Sequence, residues 1–235
     1  MLIDDYDLIS TPINYISYQV RATDGKKHDV QFLLTADATQ AINKSNQPTL
    51  TSRGFEDGIA YVKAGTVEQP ILAKKGDGIC IDWGYFYMPA INGNVSMGQP
   101  DKMLEAFVQT GKFPRPDRAQ MQGEKGRSAR RGIRAENVAE MPAMAYVHNF
   151  GQVEQASSFT MLGYDEVQDI EYMYERYKGY WAHGGQVSIF QAFRNLQSRS
   201  ATIMARCRAF DRHIYADGMA AGGKHSAEIM GASVR

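Results

Sequence analysis

Residues 164–181 read YDEVQDIEYMYERYKGYW, and the periodicity of the chain changes across them. Val167, Ile170, Tyr174, Tyr177 and Trp181 recur at intervals of three and four residues, which is one stripe of an α-helix. Asp165 can cap such a helix through its carboxylate, and Gln168, three residues on, can complete a capping-box-like pair. His183-Gly184-Gly185 then breaks the stripe. Upstream of this stretch the chain has period two; downstream it stays helical. The expected class is therefore α+β and multidomain. A β-rich, sandwich-like domain takes residues 1–160, and the start of a helical-hairpin domain takes 161–235.

Working upstream, residues 13–22 (INYISYQVRA) and 28–35 (HDVQFLLT) are rich in β-branched and aromatic side chains. The turn signal Thr23-Asp24-Gly25-Lys26 between them suggests a β-hairpin. Further strands are expected at 58–65, 69–73 and 78–88, and the last two at 142–150 and 156–162. Met103, Leu104, Phe107 and Val108 place one helix at 101–110, stopped by Gly111. Working downstream, an apolar stripe runs from Ile189 through Phe190, Phe193, Leu196, Ile203 and Phe210 to Gly222-Gly223. Unbroken, that is roughly 35 residues and about 50 Å of helix. A third helix is expected to begin at Lys224.

The totals exclude several function classes. Lysine plus arginine equals aspartate plus glutamate at 26 each, so global charge favours neither nucleic acid nor an anionic membrane. The basic cluster Arg127–Arg134 lacks interleaved aromatics and reads as a solvated loop. No apolar run approaches the roughly 20 residues needed to cross a bilayer. Cys80 and Cys207 are too few for a disulfide scaffold and read as two buried free thiols. His28, His148, His183, His213 and His225 are scattered, so no metal is expected, and no cofactor motif occurs.

Carboxylates remain. Asp82 lies in Ile81-Asp-Trp-Gly-Tyr-Phe-Tyr87, where an acid among aromatics could form the wall of a polar ligand's site. On a strand, Asp82 would share a face with Phe86, and Trp83 with Tyr85. Asp82, Trp83 and Tyr85 are thus the substrate-binding candidates, against the plainer reading of an acid bonded at a junction. Asp165 and Glu166 are candidate catalytic acids, although a helix N-terminus stabilises negative charge without any catalysis. Asp211 and Asp217 are the other two candidate catalytic acids; they stand near the C-terminal end of the long helix, where negative charge needs a partner or an exposed face.

Several stretches together resemble the glutaminase A family. They include Asp5-Tyr-Asp-Leu-Ile-Ser-Thr-Pro-Ile-Asn-Tyr-Ile16, Ala64-Gly65-Thr66, Gly76-Asp77 and Ile81-Asp-Trp-Gly-Tyr85. The likeness continues through Met141-Pro-Ala-Met-Ala-Tyr-Val147, Phe150-Gly151, Met161-Leu-Gly-Tyr-Asp-Glu166, Ile170-Glu171-Tyr172 and Tyr180-Trp181. It closes on Arg206-Cys-Arg-Ala-Phe-Asp211 and Ala216-Asp-Gly-Met-Ala-Ala-Gly-Gly223, with Gly218 where the family has alanine. Residues 112–139 match poorly. The resemblance implies a β-sandwich-like domain followed by a six-helical-hairpin (α/α)6 toroid, here truncated within its third helix. It also implies a secreted, periplasmic or cell-surface protein, although the chain shows no targeting signal.

Three functions follow as expectations. By resemblance, the chain is part of an amidohydrolase that converts glutamine to glutamate and ammonia. By analogy of fold, it is part of a glycoside-hydrolase-like enzyme working with two carboxylates. The third is a non-catalytic ligand-binding module. The partners are a small-molecule or carbohydrate substrate and the rest of a parent chain. The 235 residues alone are expected to show weak or no activity, because the resemblance puts most of the toroid outside them.

Overall fold

A computed structural model describes residues 2, 4–114, 120–122 and 141–233; the basic cluster Arg127–Arg134 lies outside them. The chain divides into two compact units, Pro12–Lys178 and Met1–Thr11 with Gly179–Arg235. The expected boundary after residue 160 falls inside a strand of the first unit.

In the first unit the strands are β1 (Ile13–Arg21), β2 (His28–Asp37), β3 (Thr49–Glu56), β4 (Ile59–Thr66), β5 (Tyr85–Pro89) and β6 (Asn94–Gly98). After helix α2 (Pro100–Thr110) come β7 (Gln120–Gln122), β8 (Ala143–Val153), β9 (Gln155–Asp165), β10 (Ile170–Tyr172) and β11 (Glu175–Tyr177). A six-stranded sheet has the order β1-β9-β5-β4-β3-β7, and a three-stranded sheet the order β2-β8-β6. Their facing sides share one core. Val62, Ala64 and Met88 come from the larger sheet, Met97, Met144 and Tyr146 from the smaller, and all are essentially without solvent contact. The β-rich, sandwich-like expectation therefore holds.

The expected β1–β2 hairpin does not form. β1 pairs antiparallel with β9, and β2 with β8, so each adjacent pair of strands is split between the two sheets. The reason is burial: Tyr18 of β1 stacks on Phe32 of β2 with ring centroids 3.7 Å apart. Face-to-face packing of two sheets covers much of both rings, whereas a flat hairpin would leave one side wet. The Tyr18 hydroxyl completes this end of the core, 2.8 Å from His148 Nδ1 and 3.1 Å from the Tyr146 hydroxyl.

Two expected strands are irregular. Residues 69–73 form no ladder, and of 78–88 only Tyr85 onward pairs. Cys80 is consequently exposed rather than buried, while Cys207 is half-buried. β3 is a strand beyond those expected, although Asp57-Gly58 marks its turn. Both residues have positive φ, 48° and 79°, as a tight two-residue hairpin turn demands. The helix expected at 101–110 is present as α2, with Pro100 in its first turn and Gly111 (φ 68°) donating its amide to the Phe107 carbonyl.

The helix expected across 165–181 is absent. β10 and β11 form an antiparallel ribbon there, turning at Met173 and Tyr174 with φ of 51° and 68°. Glu171 and Arg176, directly opposite in register, are ion-paired at 3.2 Å. Most of the presumed stripe never finds a surface to bury against: Ile170 and Tyr174 are 58% and 98% exposed.

The second unit contains α1 (Tyr6–Ser10), a 3-10 segment at Tyr180–Gly185 that buries Trp181, and the long helical run α3 (Ile189–Ser233). Asp5 caps α1 by accepting the Leu8 amide at 3.0 Å. Its other carboxylate oxygen accepts from Arg206 of α3 at 2.7 Å, and this guanidinium holds the Asp5 carboxyl below its usual range. Gly222 and Gly223 leave helical geometry and break α3 where the sequence places a stop. The two arms touch closely, since a Cβ added to Gly218 would lie 2.5 Å from the Ala227 Cα. The absence of a side chain at Gly218 thus permits this close approach.

Candidate functional site

The irregular segment before β5 is held by side chains acting as backbone partners. Gln69 accepts the Gly84 amide at 2.7 Å and donates to the carbonyls of Thr66 and Gly84 at 2.9 and 3.1 Å. The Thr66 hydroxyl donates to the Asp82 carbonyl at 2.6 Å. Gly84 has φ 76°, and a Cβ there would stand 2.2 Å from the Asp165 carbonyl oxygen. The segment therefore lies hard against the end of β9.

Asp82 is wholly buried. Its Oδ2 accepts from the Lys74 ammonium and, at 2.6 Å, from the Gln47 amide. Gln47 is fixed in turn by the amides of Asn43 and Lys44 at 2.7 and 2.8 Å. Asp82 Oδ1 has no hydrogen-bond partner among the described residues. A buried ion pair stabilises little net, but removing one partner strands the other charge. Asp82 thus anchors the segment. The face it was expected to share with Phe86 does not exist, because Gly84 interrupts the alternation.

Trp83 donates its indole N–H to the Gln168 carbonyl at 3.0 Å, and Tyr164 donates its hydroxyl to the Trp83 carbonyl at 2.6 Å. Tyr85 faces Asp165 in the β5–β9 register. The fold therefore brings Asp82, Trp83 and Tyr85 beside Asp165 and Glu166, two groups separated by eighty residues of sequence. Asp165 accepts the Val167 amide at 2.9 Å, a bond that closes a local turn and not a helix cap, since Val167 has φ 66°.

Glu166 is half-buried, and burial pushes its carboxyl up to about 7. The charge of Asp169, a hydrogen bond with it, and the charge of Asp165 add to the effect. At neutral pH Glu166 can therefore either donate or accept a proton. Burial also raises Tyr164 above the ordinary phenol range, so its hydroxyl stays a donor.

Asp211 and Asp217 belong to the other compact unit and are exposed; Asp217 pairs with His213 at 3.4 Å. Six residues apart on a helix, they point about 120° away from each other and form no carboxylate pair. Among the described residues, no group of three or more His, Cys, Asp or Glu could hold a metal ion. Clefts of about 380 and 340 Å³ lie away from this site, one at the β1–β2 corner around Arg21 and Asp24, the other beside α2 around Asp37 and Asp101. Sequence reading missed Gln69, Lys74, Tyr164 and Asp169. Tyr164 and Asp169 flank the acids already chosen, and only their proximity to Glu166 could have flagged them.

These features define a class: a sandwich-like β-domain with a rim of buried acid, indole, phenol and half-buried carboxyls, joined to a helical segment. A domain family described as a domain of unknown function, DUF5127, matches residues 1–217, and the chain belongs to it. No curated protein matches the chain. No helix among the described residues is long and apolar enough to cross a membrane.

Proposed function

We propose that the chain is part of a glutaminase A-like hydrolase that cleaves the side-chain amide of glutamine. What supports the reading is the meeting of its two most motif-like stretches, 81–85 (IDWGY) and 161–166 (MLGYDE), at one rim. Hydrolysis adds water to the carboxamide carbon and breaks the C–N bond, and the nitrogen must take a proton to leave as ammonia. Glu166 is the donor in this reading, because its carboxyl stays partly protonated at neutral pH. Trp83 and Tyr85 supply the apolar wall, and Asp82 with Lys74 fixes it. The six-hairpin toroid continuing from α3, and a secreted, periplasmic or cell-surface location, belong to the same proposal.

A second reading is a glycoside-hydrolase-like enzyme. It draws on the neighbouring carboxyls of Asp165 and Glu166, one of them shifted upward, beside aromatic side chains. Ammonia release from glutamine by the natural gene product carrying these residues, lost in Glu166→Gln with the fold intact, is the expected result. Turnover of aryl glycosides without ammonia release would instead establish the second reading.

A further inference from the structure

Alternation along β4 sends Val62 and Ala64 into the core, so Tyr61 and Lys63 project from the opposite face of the large sheet. Tyr85 and Tyr87 of β5 project beside them. Two glycines make this surface unusually close-fitting. A Cβ at Gly54 would meet the Tyr61 ring at 2.4 to 2.9 Å, and one at Gly65 would meet Tyr85 at 2.7 Å. The Lys63 ammonium stands 3.9 Å from the Tyr85 ring centroid and 5.6 Å from that of Tyr87.

Lys63 is half-buried, yet it makes no ion pair or hydrogen bond with any described residue. Among the described residues its close partners are the aromatic faces of Tyr85 and Tyr87. Burial lowers its basicity, whereas the charges of Glu56 and Asp165 raise it. The two acids are thus near enough to be felt and too far to pair. A half-buried ammonium framed by phenols, with a carboxylate beyond one ring, matches a ligand carrying a carboxylate and an ammonium on one carbon.

We infer that Lys63, framed by Tyr61, Tyr85 and Tyr87, receives the α-carboxylate of a free amino acid whose ammonium turns toward Asp165. The choice of glutamine as probe rests on the hydrolase reading above, and the inference extends that reading by naming what recognises the substrate's head group. A charge-assisted hydrogen bond at such a site contributes enough that its loss weakens binding about tenfold or more.

The test is a ligand-observed NMR titration of the 235-residue chain with L-glutamine. Saturable binding is expected, weakened about tenfold or more in Lys63→Met and retained in Lys63→Arg, with melting temperatures checked for each variant. The analogue lacking the α-ammonium should bind wild type more weakly than glutamine does, and that gap should close in Asp165→Asn. No saturable binding to wild type overturns the inference. So does equal binding by a folded Lys63→Met, or displacement of glutamine by methyl glucoside. The two claims separate in the natural gene product. Ammonia release with KM unchanged by Lys63→Met sinks the head-group assignment and leaves hydrolysis standing. Amino-acid binding at Lys63 without ammonia release does the reverse.

Discussion

Residues 167–181 and 189–203 both place apolar residues at helical intervals, yet most of the first folds as a β-ribbon and the second as a helix. Spacing alone does not decide between them; the availability of a surface does. In α3 the stripe is buried, with Phe193 wholly so and Ile189, Phe190, Leu196 and Ile203 nearly so. In the ribbon, Ile170, Tyr172, Tyr174 and Tyr177 all face solvent, and only Trp181 beyond it is buried. An exposed tyrosine-rich segment gains nothing from a helix that buries no face, and its β-propensity with a tight turn then prevails.

The largest expected effect falls on the buried stripe. Phe193→Ala should cost about 3–5 kcal/mol, read by urea denaturation, because it empties a fully enclosed ring site. The same truncation at Tyr174 should change stability by less than about 0.5 kcal/mol. Equal costs at the two positions would remove the distinction between the stretches. Next is Gly84→Ala, which combines a positive φ with a clash against the Asp165 carbonyl. About 2 kcal/mol or more of lost stability is expected in thermal melts, with the Trp83 signal perturbed. A neutral Gly84→Ala would show that the rim is looser than described.

A third test concerns pH. The Glu166 carboxyl is raised from 4.5 to about 7 in the folded chain, so the folded state binds its proton more tightly than the unfolded state does. The associated stability is fully present below about pH 4.5 and is lost as pH rises through about 7. Glu166→Gln should flatten that part of the stability–pH curve, and an unchanged slope would show that Glu166 is not the titrating group. The smallest effect is a sign. Tyr174→Gly removes side-chain strain at φ 68° and should be neutral or stabilising by up to about 1 kcal/mol. A helix at this position would instead lose about 1 kcal/mol, and amide exchange across 170–177 distinguishes the two.

Much of the fold was legible where one interaction dominates. Alternating β-branched and aromatic residues marked β1, β2, β8 and β9, and the Gly222-Gly223 break was visible because glycine pairs end helices. Strand partnership was not legible. The turn at residues 23–26 reads the same whether its strands pair with each other or join opposite sheets, and the Tyr18–Phe32 stack that decides it is tertiary. At the rim, Asp82, Trp83, Tyr85, Asp165 and Glu166 each stand out in the sequence singly, by their chemistry. Their meeting depends on the β5–β9 register and on Gln69 acting as a surrogate backbone, neither of which leaves a local signal. Asp211 and Asp217 stand near the helix end that disfavours negative charge, and exposure together with His213 accounts for Asp217.

The central claim is that the segment before β5 and the end of β9 form one rim around a carboxyl that titrates near neutrality. The Trp83 indole N–H, bonded to the Gln168 carbonyl two residues from Glu166, reports on it directly by NMR. Between pH 5 and 9, roughly spanning the shifted carboxyl, its resonance should move with a midpoint near 7 that disappears in Glu166→Gln. An indole signal that stays fixed over that range, or moves identically in Glu166→Gln, would contradict the claim.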